Sequence, residues 1–495
     1  MVVAGLLAAV VAGPVGGPIV GVARAATTAD ALDWQRCGHG LECSRLDVPV
    51  AYSAPDGAQV SVALIRAPAR RPAERVGTLV VNFGGPGDAA TETLPLAIGR
   101  FPAEIRDRFD IVGFDPRGTG GTRAIDCIDD KTTDALVPED PTPDDPAELE
   151  RFYAGTNTAV DLVAACVAQS GDWLASVGTR NVARDLDRIR IALGERRIDF
   201  LGYSYGTVLG AVYAQEFPDH IRTMVLDGAV NLTDSPHDEQ VANAAGFEGA
   251  LDKFLAWCAD TSTCTFGDGD PRAALTRLRD RFEQGLTLPV NDGRRAGVGV
   301  FYLALLSSLY DRADGWPALA LALKNASRGD GTVLQILTDF YLDRDDHGHY
   351  SALQEAIGPI RCADVRTPVV PFDEYRATFE QLRDTYPFFG AVVGASQTGC
   401  DPRLPVPAAG DELGDVRATP DARVLVIGTT GDPATPYAGA LDLQSRIAGS
   451  RVLTYESAEH AAYGRGVACI DDAVDRYLIT QRPPPVGKRC ASRPT

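Results

Sequence analysis

The residues best suited to chemistry lie in "LGYSYGT", 201–207, where Ser204 stands between Gly202 and Gly206 just after the apolar run "IDFLG". A serine hydroxyl is a weak nucleophile unless the chain also supplies a base for its proton and an acid to orient that base. The G-x-S-x-G spacing answers a geometric need. Two glycines remove side chains that would crowd a sharp strand-to-helix turn, and such a turn exposes the hydroxyl at the strand's carboxyl end with the Tyr205 N–H beside it. Six histidines compete for the part of base. His39 lies in the short Cys37–Cys43 loop, His220 near the end of the helix after Ser204, and His237, His347 and His349 in a helical region. His460 alone follows directly on a late strand-like run, "RVLTYE", on a loop able to reach back to Ser204. For the acid, Asp432 of "VLVIGTTGDPATP" occupies the loop after the preceding run, and Asp227 of "VLDGAV" is the competing choice, which otherwise caps the next turn.

Acyl transfer also requires donors aimed at the oxygen where negative charge develops. The loop "NFGGPGD" from Asn82 provides closely approachable backbone, and the N–H groups of Gly85 and Tyr205 are the expected oxyanion hole. No GK[ST] follows, so this is not a phosphate loop. The cluster "DRDDHGHY", 343–350, offers Asp343, Asp345, Asp346, His347 and His349 as conceivable metal ligands but reads better as a solvated loop. No metal and no organic cofactor is expected.

These residues need a scaffold that places them on neighbouring loops. Nearly continuous apolar runs, "VSVALIRA" from Val60, "GTLVVNFG" from Gly77, "FDIVGFD" from Phe109, "IDFLGYS" from Ile198, "TMVLDGA" from Thr223, "ARVLVIGT" from Ala422 and "RVLTYE" from Arg451, suit strands buried on both faces of a parallel sheet. Helical patterns lie between them, as in "NVARDLDRIRIALG" and "VLGAVYAQEF". From about 232 to 420 the strand rhythm gives way to helices such as "AALTRLRDRFEQGL", "VGVFYLALLSSLY", "WPALALALKNA" and "FDEYRATFEQLRDTY". The expected organisation is α/β, with a mostly parallel sheet in a core of 26–231 and 421–495 and a helical cap, 232–420, inserted between core strands. The acidic, proline-rich segment 129–150 reads as a solvated loop. The chain order Ser204, Asp432, His460 is that of α/β hydrolases.

A formal net charge of −20 disfavours nucleic acid and anionic membranes as partners. The uncharged opening "MVVAGLLAAVVAGPVGGPIVGV" followed by "ARAA" has the small-x-small pattern of a signal-peptidase site after Ala25, so residues 1–25 are expected to be removed on export. An anchoring helix is the alternative, disfavoured by Gly13, Pro14, Gly16, Gly17 and Pro18 within the run. Ten cysteines with no C-x-x-C pair suggest disulfides in an exported protein, and joining sequence neighbours is one of the possible connectivities. The expected location is secreted or cell-surface, with no stable membrane partner.

Taken together, "NFGGPGD", "DPRGTGGT", "ARDLDRIRIALGERRIDFLGYSYGTVLGAVYAQEFPDHIRTMVLDG", "IRCADV", "GTTGDPATPYAGA" and "HAAYGRGVACIDDAVDRYL" make the chain resemble the secreted tripeptidyl aminopeptidases of actinobacteria, in the prolyl-aminopeptidase group of α/β-hydrolase serine peptidases. The likeness covers nearly the whole mature chain, including a C-terminal stretch similar to that family's. It implies a nucleophile at Ser204, an acid at Asp432, a base at His460 and release of short peptides, tripeptides in that family, from free N-termini. Departures lie beside the centre. Phe83 stands where proline is common, Asp88, Ala89 and Ala90 where a GSG-like continuation is common, and Glu459 where glycine precedes the histidine. A carboxylate at Asp88 or Glu459 would either hold a substrate amino group or face solvent. The resemblance also implies acids that bind the free N-terminus, for which Glu355 and Asp364 are the candidates. A carboxylesterase or lipase-like enzyme is the alternative with the same chemistry, and an inactive surface-binding protein the alternative without it.

Overall fold

The computed structural model describes residues 32–396, 399–419 and 423–492, so the expected signal segment lies outside the described residues. The strands are β1 (Gln35–Gly38), β2 (Leu41–Pro49), β3 (Gln59–Ala67), β4 (Gly77–Asn82), β5 (Phe109–Phe114), β6 (Ile198–Tyr203), β7 (Ile221–Asp227), β8 (Leu288–Pro289), β9 (Arg295–Ala296), β10 (Val424–Thr429), β11 (Arg451–Glu456) and β12 (Arg489–Ala491). Ten of them form one sheet in the order β1-β2-β3-β5-β4-β6-β7-β10-β11-β12, while β8 and β9 form a separate ribbon. Pairing is antiparallel from β1 to β5 and parallel from β5 through β12.

The apolar runs form these strands because both faces of the sheet are covered. Every residue of β4 and β10 is buried. Alternate side chains point to opposite faces. Val80, Val112, Phe200, Leu226 and Val426 pack on one side, where helices Thr179–Ala192 and Gly206–Glu216 lie. Val81, Ile111, Leu201, Val225 and Ile427 pack on the other, against helix Ala468–Thr480. Between β7 and β10, neighbours in the sheet, the chain builds the helical insertion, from Pro236–Asp260 to Gly390–Gly394. It has its own core around Phe254, Phe282, Phe301, Trp316 and Leu323.

The segment 129–150 departs from the expected loop. It carries helices Asp130–Leu136 and Pro146–Tyr153, whose N-cap side chains Asp129 and Asp145 accept from Thr132 N–H and Glu148 N–H. Aspartate at the N-cap and proline at the first helical position start helices as readily as they mark loops. The "DRDDHGHY" turn is held to the first of these helices, with His349 Nδ1 2.8 Å from Asp130 Oδ2. The DPRG loop is structural. Fully buried Arg117 donates to Asp185 at 2.6 and 2.7 Å and to the carbonyls of Pro49 and Val50, tying the β2 end to the core.

The cysteines pair as sequence neighbours: Cys37–Cys43, Cys127–Cys166, Cys258–Cys264, Cys362–Cys400 and Cys469–Cys490. Among the described residues no helix is long and apolar enough to cross a membrane.

Candidate active site

β6 ends at Tyr203, and Ser204 follows with φ of +53°, a left-handed conformation that a serine adopts only under constraint. The glycines on either side are required by close approach. A Cβ on Gly202 would lie 2.3 Å from the Gly206 carbonyl oxygen, and one on Gly206 would lie 2.7 Å from Asn82 Oδ1. Helix Gly206–Glu216 starts directly afterwards, and Thr207 donates through N–H and Oγ1 to the Ser204 carbonyl at 2.9 and 2.6 Å.

His460 lies beyond β11 and is 9% exposed. Its Nδ1 is 2.9 Å from Asp432 Oδ1 and 3.0 Å from Oδ2. An ionised carboxylate only accepts, so Nδ1 carries the proton and Nε2 is left as the acceptor. Asp432, in the loop after β10, also accepts from Ala434 N–H at 3.0 Å, Thr435 N–H at 2.9 Å, Thr435 Oγ1 at 3.1 Å and Ala461 N–H at 3.3 Å. The donors surround both oxygens, which fixes the carboxylate's plane. Tyr310 of the insertion packs edge-on against the imidazole, with ring centroids 5.1 Å apart, and its carbonyl accepts the His460 N–H at 3.0 Å.

Asp227, the competing acid, does something else. Its carboxylate accepts from Ala462 N–H at 2.9 Å and Tyr463 N–H at 2.8 Å, while its main-chain carbonyl accepts the Ser204 N–H at 2.9 Å. One residue therefore fastens both the serine turn and the histidine loop. The next residue, Gly228, lies so close to the imidazole that a Cβ there would sit 3.1 Å from His460 Cε1. Burial pushes the Asp227 carboxyl up to about 6, opposed by the two amide donors.

The loop after β4 passes against the serine turn. A Cβ on Gly84 would sit 2.6 Å from the Tyr203 carbonyl oxygen, 3.0 Å from Ser204 Cβ and 3.1 Å from the Tyr205 nitrogen. Asn82 Oδ1 accepts the Gly84 N–H at 3.2 Å, and Gly84 and Gly85 both have φ of +102°. Tyr205 precedes the first turn of its helix, where N–H groups have no carbonyl a turn earlier to bond. A cavity of about 210 Å³ opens beside His460, lined by Phe83, Phe101, Tyr203 and Tyr463 together with Thr93, Arg100 and Arg465. Phe83 and Tyr203 stack with rings 6° from parallel.

The remaining acids occupy particular places. Glu355 accepts the N–H groups of Cys127 and Ile128. Asp364, 2% exposed, accepts from Thr179 and the Tyr205 hydroxyl, and burial pushes it up to about 6. Glu459 is buried, neither facing solvent nor unpaired, with Ser457 Oγ 3.0 Å and the Arg465 guanidinium 3.8 Å away. Asp88 directs Oδ2 to Thr93 Oγ1 at 2.7 Å and leaves Oδ1 buried without a hydrogen-bond partner. Desolvation, aided by the nearby carboxylates of Asp343 and Asp115, pushes Asp88 up to about 7.

Sequence reasoning missed three contributors. Thr435 bonds both Asp432 and, at 3.2 Å, His460 Nδ1. Arg465 donates to the His460 carbonyl at 2.8 Å and pairs with Asp311 of the insertion. Tyr310 supplies the ring against the imidazole. Only Thr435 had a local signal, a hydroxyl three residues after Asp432 in "GDPAT".

The α/β hydrolase fold family matches this chain over residues 78–466. Serine protease Hip1 of Mycobacterium tuberculosis is 36% identical over 464 residues, covering 91% of this chain and 87% of that one. Carboxylesterase B of the same organism is 34% identical, covering 91% and 86%. The tripeptidyl aminopeptidase of Streptomyces lividans is 30% identical over 505 residues, covering 97% and 90%. The chain belongs to the α/β hydrolase fold family. Within it, this is a serine hydrolase that groups with serine protease and tripeptidyl aminopeptidase relatives over nearly its full length.

Proposed function

We propose that the protein is an exported serine aminopeptidase that releases short peptides, tripeptides among them, from free N-termini through an acyl-enzyme. Ser204 Oγ attacks the scissile carbonyl while His460 Nε2 takes its proton. The carbonyl electron pair moves to oxygen, which the N–H groups of Gly85 and Tyr205 bind. Collapse expels the leaving amine, to which Nε2 returns the proton, and water repeats the sequence on the ester. Asp432 holds the productive tautomer and stabilises the imidazolium. The observation that carries this reading is the His460 Nδ1 contact to Asp432 at 2.9 Å on a loop that Asp227 fastens to the Ser204 turn. The relatives named for serine protease and tripeptidyl aminopeptidase activity support peptide substrates. The five disulfides suit an oxidising, extracytoplasmic setting.

The carboxylesterase B relative, at 34% identity, favours a second reading in which the same residues cleave esters. Aminoacyl, dipeptidyl and tripeptidyl arylamides, each with a free and an acetylated N-terminus, separate the two when run beside a short-chain aryl ester. Cleavage restricted to free N-termini supports the aminopeptidase and gives its step length. Ester cleavage without amide cleavage overturns it. Ser204→Ala should abolish turnover and fluorophosphonate labelling while the protein stays folded, and an active variant would overturn the mechanism.

A further inference from the structure

The side chain of Tyr205 runs away from the proposed oxyanion hole to a buried carboxylate of the helical insertion. That carboxylate, Asp364, ends helix Leu353–Asp364. Its Oδ1 accepts the Thr179 N–H at 2.5 Å and its Oδ2 accepts from Thr179 Oγ1 at 2.6 Å and from the Tyr205 hydroxyl. Thr179 opens helix Thr179–Ala192, whose N-cap is Gly178, a residue with no side chain to cap with. Asp364 supplies the missing anion at that helix start from 185 residues away. The two are fitted tightly, since a Cβ on Gly178 would lie 3.2 Å from Asp364 Oδ1.

The same helix reaches the other proposed donor. A Cβ on Gly87, two residues after Gly85, would sit 2.7 Å from the Leu353 carbonyl oxygen and 3.3 Å from Ala356 Cβ. The helix start therefore buttresses the Gly85 loop, and its end grips Tyr205. Its final turn is fixed by the Cys362–Cys400 disulfide and by Leu413 N–H, which donates to the Asp364 carbonyl at 2.9 Å.

We infer that Asp364 is a positioning residue for transition-state binding: by holding the Tyr205 hydroxyl it fixes the direction of the Tyr205 N–H, so the oxyanion hole is complete only when the helical insertion is seated. The inference rests on the serine mechanism above and not on the choice between amide and ester. It reassigns Asp364 from substrate contact to support of the residue after the nucleophile.

The test is steady-state kinetics of Tyr205→Phe, Asp364→Asn and the double variant on whichever arylamide or aryl ester the wild type cleaves. Inhibition by a peptidyl boronic acid, whose adduct places an oxygen in the hole, is measured beside inhibition by the product peptide, which makes no adduct. Tyr205→Phe removes one hydroxyl and leaves the Asp364–Thr179 bonds, so it remains informative if Asp364→Asn fails to fold. Deleting an oxyanion donor outright lowers kcat by about 100- to 1,000-fold, and a misdirected donor should lose part of that, about 10- to 100-fold. The expected result is that fall in kcat with KM within about twofold, a parallel weakening of the boronate, unchanged product inhibition, and a double variant no worse than the poorer single. A folded Tyr205→Phe with wild-type kcat and boronate affinity overturns the inference. So does a rise in KM and in the product's inhibition constant at constant kcat, which would mark a substrate contact. A wild type that cleaves esters but no amides ends the aminopeptidase reading and leaves this test intact. A wild type inert to every substrate and to fluorophosphonate overturns both.

Discussion

Replacing Asp432 by asparagine should leave the site's shape almost intact and remove its chemistry. Oδ1 accepts from Ala434 N–H at 3.0 Å and Thr435 N–H at 2.9 Å, and these main-chain donors cannot reverse, so the amide oxygen of asparagine takes that side. Its NH₂ then replaces Oδ2, facing Thr435 Oγ1, which can rotate to accept, and His460 Nδ1. Nδ1, now 3.0 Å from that NH₂ as well as 2.9 Å from the oxygen, is drawn to accept from the NH₂, which favours the tautomer with its proton on Nε2, the atom proposed to take the proton from Ser204. The Ala461 N–H, at 3.3 Å, faces a donor and adds about 1 kcal/mol of destabilisation. Loss of the productive tautomer in a Ser-His-Asp triad lowers kcat by about 10⁴, or about 5 kcal/mol of barrier. Asp227→Asn is the control, because its two amide partners both reach Oδ2 and an asparagine oxygen can keep them. It should lose less than about tenfold. The assay is kcat at pH 7.5 for both variants, with ¹⁵N NMR of His460 reporting which ring nitrogen is protonated. An Asp432→Asn enzyme within tenfold of wild type, or an unchanged tautomer, would refute the reasoning, and a larger loss for Asp227→Asn would exchange the two roles.

Thr435→Val removes the hydroxyl that bonds Asp432 and lies 3.2 Å from His460 Nδ1, so kcat should fall about 5- to 20-fold with KM nearly constant, and an unchanged kcat on the cleaved substrate would count against it. Gly202→Ala places a methyl 2.3 Å from a main-chain oxygen in a turn that cannot yield, so denaturant unfolding should show a loss of about 3 kcal/mol or more, together with weak fluorophosphonate labelling. Asp88, with its carboxyl raised from 3.8 to about 7, binds a proton in the folded state over a range where the unfolded chain does not. Its contribution to stability is therefore complete below about pH 4, falls by up to about 1.4 kcal/mol per pH unit as pH rises to about 7, and is flat above. Unfolding of Asp88→Asn and wild type at pH 4.5 and pH 8 should show the difference moving in the variant's favour by about 2 to 4 kcal/mol, and an equal difference at both pH values would refute it.

The parts of this site visible in the sequence are those where backbone geometry forbids a side chain or a strand end forces a loop. Gly202 and Gly206 have no room for a Cβ, and Asp432 and His460 follow the apolar runs that become β10 and β11. The two competing acids both stand at or just past strand ends, and what separates them is register. Asp227 pairs with Ile427 at the end of its strand, whereas Asp432 lies five residues further on, past the end of β10, where its side chain reaches the histidine loop. The 129–150 helices escaped because aspartate and proline signal helix starts and loops with the same letters. β1 escaped because every one of its residues is exposed and shows no apolar pattern. An acid's role is harder still to read, because it is set by donors that the fold brings from elsewhere. Asp364 and Glu355 lie nine residues apart on one helix, yet the first meets Thr179 and Tyr205, and the second meets the amides of Cys127 and Ile128. Neither partner is within a hundred residues in sequence, so local pattern can nominate the acids but only the packing of the insertion against the sheet decides what each one holds.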